Sequence, residues 1–434
     1  MDGRKAIQDP VHGSISIGGV FLQVADRPEV QRLRGVRQLG LGYLVFPSAH
    51  HTRFEHSLGA YHLAGRMADS LGLSREDSDT VRMAGLLHDV CHPPFSHTLE
   101  PLMEEITGMD HMDLARALIH GKIGYIRPGD EDLFDGMDTI AEVLGDNGIS
   151  ADEVCDIISY PDSGRGALDR FTGVNDHFPS RDFIHQIIHG PVDVDQMDYL
   201  MRDAHFTGVS HGTIDSDRLI DTMAVHNDRI VLRRGGITAA EGLMVSRSLM
   251  YTTVYFHETT RIAQRMLSKA VEDVAGDIRN LHLMNDADLF QQLEAMGGNQ
   301  RWTVRRLMNR QIDKKAFAVY SADMTDDIAE RLLGYTDKGG RVRLEQEIAD
   351  AADMEVRDVG VEITSRSNLQ SRMKIGKTDV SILDEEGKVR SLTRFSPIAR
   401  ALQSRDPYGW AVLVSSPEGD RETVAKAARR VLGL

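Results

Sequence analysis

The chain has 434 residues, too many for one small domain and enough for a large core with an appended domain. Apolar residues make up 41% and charged residues 27%, a globular balance, while a formal net charge of -16 and the lack of a long basic stripe argue against a duplex nucleic-acid binder. A small anionic substrate stays compatible with that charge, because a cleft can be locally positive inside a negative molecule.

In chain order, residues 1–24 read as a short β-hairpin, with turn chemistry at Asp9-Pro10 and His12-Gly13 and alternation over Ser14-Ile15-Ser16-Ile17. From Arg27 to about residue 120 the pattern is helical: Val30, Leu33, Val36 and Leu39 recur at helical spacing, and so do Leu58 and Tyr61. Thr80 to Asp89 is an apolar-rich helix that Pro93-Pro94 stops. Residues 121–180 mix glycine and acidic residues, read as short helices and loops with a flexible stretch at Asp162–Gly166. Helix returns over 181–204, a strand over 228–234, and one long helix from Glu241 to Val274. After about residue 340, strand-like runs appear at Val356–Ile363, Val380–Leu383 and Trp410–Val414, followed by an amphipathic helix over Asp420–Leu432. The expected organisation is a hairpin segment over 1–24, a helical domain over 25–335 and an α+β domain over 340–434.

Two cysteines, Cys91 and Cys155, form no disulfide framework and point to a reducing compartment, with Cys91 read as packing. The first residues carry no secretory apolar core, and no run approaches the roughly 18 apolar residues of a membrane span. A cytoplasmic protein without membrane attachment is expected.

Histidine and aspartate concentrate in four segments: His50-His51-Thr52-Arg53-Phe54-Glu55-His56, His88-Asp89-Val90-Cys91-His92 through His97, Asp110-His111 with Asp113, and Asp193-Val194-Asp195-Gln196-Met197-Asp198-Tyr199. His88 and Asp89 follow Leu86-Leu87, so they end a helix buried on at least one side. An ionised carboxylate there must be paired or bound to a metal. The doublet alone fits a hydrogen-bonded structural pair or two metal ligands. Together the segments can supply two imidazoles and two carboxylates, a set suited to a divalent ion with positions open to water and phosphate, and one that lacks the thiolates of a structural zinc site. Arg53 stands three residues before His56, where a guanidinium can pair with phosphate oxygens. His92 and His97 offer imidazoles for proton transfer, and His97 and Glu100 are spaced to face each other on a helix. Tyr199 and Asp203 share a helix face, and so do Arg247, Tyr251 and Tyr255.

The stretches IQDPVHG, QRLRGVRQLG, VFPSAHHTRFEHSLGAYHLAG, AGLLHDVCHPPFSH and VDVDQMDYLMRD, in this order and at this spacing, resemble the HD-domain metal-dependent phosphohydrolases, and most closely their deoxynucleoside triphosphate triphosphohydrolase branch. The resemblance covers roughly residues 5–275. It implies a mainly α fold with an HD-domain helical core, small β-hairpins and a C-terminal α+β domain. It assigns one divalent metal (Mn, Mg, Fe, Zn or Ni) to His56, His88, Asp89 and Asp195; the choice of His56 over His50 and His51, and of Asp195 over Asp193 and Asp198, rests on the resemblance. His111 matches a further active-site histidine of the family. Gln38 and Leu39 match sugar-facing positions, Tyr199 and Asp203 match sugar contacts, and Arg247, Tyr251 and Tyr255 fall where the family meets the nucleotide. The family more usually carries aspartate at position 100 and histidine at position 251. Lys5, Asp26, Gln31 and Arg34 match positions where regulated members hold an activating nucleotide between subunits, which implies a homo-oligomer, dimer or tetramer; Asp26 beside Arg27-Pro28 also reads as a helix N-cap. The implied reaction is hydrolysis of a dNTP to deoxynucleoside and triphosphate. The rivals are action on another nucleotide or phosphate ester (an NTP, an NMP or a cyclic dinucleotide) and a non-catalytic nucleotide-binding regulator.

Overall fold

The structure is a computed structural model describing residues 3–124, 131–159, 182–278, 280–364, 380–402 and 409–434; the flexible stretch expected at 162–166 lies outside them. Strands β1 (Lys5–Asp9) and β2 (Gly13–Ile17) form the expected hairpin, with Asp9 opposite Gly13. Asp9 Oδ1 closes the turn by accepting the backbone N–H groups of Val11 at 2.9 Å and His12 at 2.8 Å. The hairpin ends earlier than residue 24, because Val20–Ala25 is a helix.

The helical periodicity of 27–44 breaks into short pieces. These are a helix at Pro28–Gln31, 3-10 turns at Arg32–Gly35 and Gly40–Leu44, and an isolated bridge between Arg37 and Thr52. Glycines at 35, 40 and 42 explain the interruption. Asp26 is the C-cap of Val20–Ala25 rather than the N-cap of the next helix.

Two helices frame the candidate site. Arg53–Leu71 starts on a capping box of Thr52 and Glu55 and stops at Gly72, which takes φ 68°. Arg75–Leu87 starts on Ser74, whose side chain accepts from the Asp77 N–H, and ends at His88. They approach closely at Gly85, where a Cβ would lie 3.1 Å from the Ala60 carbonyl oxygen. Instead of one helix over 181–204, Gly190-Pro191 separates Asp182–His189 from Val194–Thr207, which Asp193 caps through the Gln196 N–H. The long helix expected over 241–274 is interrupted as well. Ile237–Met250 passes into a π-helical turn at Tyr251–Tyr255, where the Phe256 N–H reaches back to the Tyr251 carbonyl at 2.9 Å, and Glu258–Glu272 begins after a break at His257.

The architecture is mainly α with small sheets. Strands β3 (Met223–His226) and β4 (Arg229–Arg233) pair antiparallel, and a four-stranded sheet extends from them in the order β3-β4-β7-β8, with β7 (Ser381–Leu383) parallel to β4 and β8 at Val389–Ser391. A second, antiparallel sheet runs β5-β9-β6, from Lys314–Tyr320, Trp410–Ser416 and Gly360–Ile363. Its own core includes Phe317, Leu344, Ile348, Val361, Val412, Val414 and Val424. The division expected between 335 and 340 therefore cuts across both sheets: β5 belongs with the C-terminal strands, and β7 and β8 return to the helical part. The strand expected over 356–363 shortens to β6, after a 3-10 turn at Val356–Asp358.

The two cores meet at a buried ion pair. Arg265 places Nε 2.9 Å from Glu345 Oε1 and Nη2 2.9 Å from Oε2, and Oε1 also accepts the Val361 N–H at 2.8 Å. Glu345→Gln removes the charge that neutralises Arg265 while Glu272 still holds one side of the guanidinium. The expected loss is about 3 kcal/mol, the lower end for breaking a buried pair, read as a lower urea midpoint with an unchanged slope.

Candidate metal centre

The first turn of Arg53–Leu71, the end of Arg75–Leu87 and the first turn of Val194–Thr207 point side chains at one spot. His56 Nε2 lies 3.2 Å from His88 Nε2, 3.1 Å from Asp195 Oδ1 and 3.5 Å from Asp89 Oδ2. His88 Nε2 lies 3.5 Å from Asp89 Oδ1 and 3.8 Å from Asp195 Oδ1. Donors about 2.1 Å from one cation at right angles would stand roughly 3 Å apart, so His56, His88 and Asp195 are spaced to share one ion, whereas Asp89 meets His56 and His88 through different oxygens and groups more tightly with His92 and His111. His50 instead stacks on Tyr43 at 5.1 Å, His51 faces Asp203, and Asp193 serves as the helix cap.

The tautomers are set for ligation. His56 Nδ1 faces Asp198 Oδ2 at 2.7 Å, and His88 Nδ1 faces the Gly85 carbonyl at 2.9 Å. Each Nδ1–H then has an acceptor, which leaves the two Nε2 lone pairs facing one another. Burial disfavours a charged His56, yet hydrogen bonds to Asp195 and Asp198 outweigh it and raise its pKa to about 10. Burial pushes Asp195 up, but His56 and His88 hold it well below the usual carboxylate range. The concentrated negative charge that stabilises a proton here would stabilise a divalent cation more, so the donor set fits a metal ion.

Sequence reasoning missed the support behind His56. Asp198 is fully buried and also meets His12 Nε2 at 2.6 Å and Arg202 Nε and Nη2, each at 2.9 Å; Arg202 Nη1 continues to Asp9 Oδ2 at 2.7 Å. The N-terminal hairpin thus reaches the candidate centre through two side chains. The available signal was the spacing of Asp195, Asp198 and Arg202, three and four apart on one helix, together with the polar turn of IQDPVHG. Asp198→Asn is expected to weaken Mn²⁺ binding about 10- to 100-fold, measured by calorimetric titration of metal-free protein. Wild-type affinity in that variant would show that the Nδ1 partner does not matter.

Beside the centre stands a second group of arginine, histidine and carboxylate side chains. Arg53 Nη1 donates to Asp89 Oδ2 at 2.5 Å, and Nη2 lies 3.3 Å from His97 Nε2. Burial would raise Asp89, but Arg53, His88 and His92 hold it well below its ordinary value. His92 sits 3.1 Å from Asp89 Oδ1 and stacks on His111 at 4.3 Å. Its burial and the nearby Arg53 lower its pKa well below the usual value, so it is a neutral partner of Asp89 rather than an acid at neutral pH. Glu100 bridges two imidazoles, His97 Nδ1 at 2.9 Å and His111 Nδ1. Burial works against the charge on each member of the Glu100–His111 pair, yet their mutual contact keeps the carboxylate ionised and raises His111. The His97 side chain is 68% exposed and alone in the group faces solvent broadly.

Tyrosines wall another side. Tyr199 lies 6.0 Å and Tyr251 5.3 Å from Tyr255 between ring centroids, and Arg247 sits over Tyr251 at 5.6 Å. The π-helical turn brings Tyr251 and Tyr255 into that cluster. Asp203 is not a free acceptor: His51 Nε2 holds one oxygen at 2.7 Å and the Tyr255 hydroxyl donates to the other at 2.7 Å. Gln38 is buried with its Oε1 unpartnered, and Leu39 packs against the core. Lys5 and Asp26 form an exposed pair at 3.7 Å, while Arg34 donates to Gln31 Oε1 at 2.8 Å.

The family profile described as HD domain matches residues 53–160, and the profile described as HD associated region matches residues 214–434. The chain belongs to the HD-domain phosphohydrolases. An uncharacterized protein from Methanocaldococcus jannaschii is 30% identical over 422 residues, 95% of this chain and 79% of that protein. The deoxynucleoside triphosphate triphosphohydrolase SAMHD1 of Homo sapiens is 30% identical over 295 residues, 62% of this chain and 44% of that protein. The chain spans about half the length of the other curated relatives it matches. A hypothetical protein from Aquifex aeolicus superposes with a TM-score of 0.70 at 27% identity, covering 98% of this chain and 99% of that one. HD domains bind divalent metals, and the groups of histidine and carboxylate described above are able to hold one. No helix among the described residues is long and apolar enough to cross a membrane.

Proposed function

We propose that this HD phosphohydrolase cleaves deoxynucleoside triphosphates to deoxynucleoside and triphosphate, with His56, His88, Asp89 and Asp195 as ligands to one divalent ion. The observation that carries the reading is the approach of His56 Nε2 and His88 Nε2 to 3.2 Å among two carboxylates, with Arg53 alongside. When bound, the ion supplies Lewis-acid polarisation of a phosphate oxygen and lowers the pKa of water. Arg53 offsets charge that develops on the α-phosphate. His97, oriented by Glu100 through Nδ1, gives a proton from Nε2 to the departing 5′-oxygen as the bond from phosphorus to that oxygen breaks, and water supplies the oxygen that replaces it. His92 holds Asp89 in place, and His111 holds Glu100.

Tyr199, Tyr251, Tyr255 and Arg247 offer a sugar and base wall, with Asp203 exchanging its Tyr255 contact for the 3′-hydroxyl of the deoxyribose and the unpartnered Gln38 oxygen available to the sugar edge. The likeness to SAMHD1 supports the dNTP reading over an NTP, an NMP or a cyclic dinucleotide. Lys5, Asp26, Gln31 and Arg34 form the proposed regulatory nucleotide face of a homo-oligomer.

The test is turnover of each dNTP and NTP in Mn²⁺ and in Mg²⁺, with and without dGTP or GTP, reading released triphosphate and phosphate. Triphosphate from dNTPs is the expected product. Release of monophosphate, or tight nucleotide binding without turnover in any metal, overturns the proposal.

A further inference from the structure

Two consecutive residues beside the candidate centre, Phe95 and Ser96, hold positive φ angles of 56° and 51°. Side chains other than glycine rarely stay there unless their surroundings over-determine it, and such backbone gathers at functional sites. The restraint comes from 191 residues further along the chain. Asp286, the first residue of the helix Asp286–Met296, accepts the Phe95 N–H through Oδ1 at 2.7 Å. One turn on, the Phe290 ring packs on Phe95 with centroids 4.7 Å apart, so a single helix face grips both the backbone and the ring of the strained residue.

Asp286 Oδ2 accepts the Arg37 backbone N–H at 3.2 Å and its guanidinium Nη1 at 3.0 Å. Ser96 Oγ donates to the Arg37 carbonyl at 2.9 Å and accepts from Arg53 Nε at 3.0 Å. Arg53 continues to Asp89 at 2.5 Å and to His97 Nε2 at 3.3 Å. Gly40 closes the arrangement, since a Cβ there would stand 2.8 Å from the Phe95 carbonyl oxygen. Asp286 is 3% exposed and touches none of the candidate metal ligands directly. Burial raises its pKa to about 6 against the pull of the Phe95 N–H and Arg37, so at neutral pH it is a carboxylate facing three donors.

We infer that Asp286 is a positioning residue for phosphate binding: by pinning the Phe95–Ser96 turn and Arg37 it sets the direction of the Arg53 guanidinium. The inference rests on the proposed role of Arg53 toward phosphate. The turn has local backbone bonds, from the Ser96 N–H to the Pro93 carbonyl at 3.0 Å and from the Thr98 N–H to the Phe95 carbonyl at 3.1 Å, but its Phe95 N–H is held by the carboxylate on the remote helix, and the guanidinium borrows its orientation from Ser96.

The test uses the full chain with Mn²⁺ and inorganic triphosphate as the probe, in wild type, Asp286→Asn, Ser96→Ala and the double variant. Asp286→Asn keeps the shape but turns an amide toward the Arg37 donors. Ser96→Ala cuts the link to Arg53 without touching Asp286. Each single variant is expected to keep wild-type Mn²⁺ content and lose about tenfold or more in triphosphate affinity, because a misplacement passed on from afar carries penalties of that order. The double variant is expected to be no weaker than the weaker single, the mark of two residues acting through one path. Wild-type affinity in Asp286→Asn, parallel loss of Mn²⁺, or full additivity in the double variant overturns the inference. Wild-type protein that binds triphosphate but turns over no nucleotide overturns the proposed reaction and leaves the titration to decide on Asp286. Wild-type protein that binds no triphosphate removes the phosphate site and this inference with it.

Discussion

Asp89→Ala is expected to lose its divalent metal and its turnover together, with activity falling at least about 10³-fold. Several contacts end at this one carboxylate. Its oxygens lie 3.5 Å from each of His56 Nε2 and His88 Nε2, and they also hold Arg53 at 2.5 Å and His92 at 3.1 Å. Removing it deletes a proposed ligand and leaves a buried guanidinium without its anion, a defect alanine cannot repair. Asp89→Asn separates the two losses: a neutral oxygen can still accept from Arg53 while binding a cation more weakly. Metal content after dialysis, by mass spectrometry, and steady-state turnover on the same sample read the outcome. Full activity in metal-free Asp89→Ala protein would sink the assignment.

The second large effect is expected at Gly59, one turn beyond His56. In the middle of a helix, glycine to alanine ordinarily gains about 0.5–1 kcal/mol. Here the added Cβ would stand 1.8 Å from Asp198 Oδ1 and 2.6 Å from an Arg202 nitrogen. Both groups are fully buried and paired to each other, so neither can step aside into water. The sign reverses: Gly59→Ala is expected to destabilise the fold by about 3 kcal/mol or more, through overpacking and a broken buried pair. Thermal unfolding with and without Mn²⁺ measures it. A variant as stable as wild type would mean that the helices Arg53–Leu71 and Val194–Thr207 are not held this close.

The candidate ligand segments could be read from the chain because each is short and polar at the edge of an apolar helix, where only pairing or a metal makes burial tolerable, although the choice of His56 over His50 and His51 came from the resemblance. The choice between Asp195 and Asp198 could not. Both project from one face of the same helix, and what separates them is which side of the His56 ring each meets, a matter of packing between elements 142 residues apart. His12 and Asp286 were invisible for the same reason: one is an ordinary turn residue and the other an ordinary first-turn helix residue locally, and each meets a partner far along the chain. The periodicity of 27–44 misled because apolar spacing reports a buried face and not the continuity of hydrogen bonds that glycines at 35, 40 and 42 interrupt. The π-helical turn left no local signature in composition, since Tyr251–Tyr255 keeps the apolar pattern of the helix around it. The strand-like run over Val380–Leu383 forms the strand Ser381–Leu383, but its pairing with β4 is not legible locally, because three residues of alternation carry no information on which edge they join.

The return of β7 to β4 has a bearing on how this molecule could come apart. The chain leaves the helical part at β5, makes both edge strands of the distal sheet, β5 and β6, comes back to complete the proximal sheet with β7 and β8, and leaves again for β9, the middle strand of the distal one. A cut at any point from residue 321 to 380 separates β4 from β7 and β5 from β9, so neither of these two sheets stays whole in either fragment. The two halves are stitched, and a protease that nicks the connection between them should find the products still holding together, or both unravelling, but never one released intact.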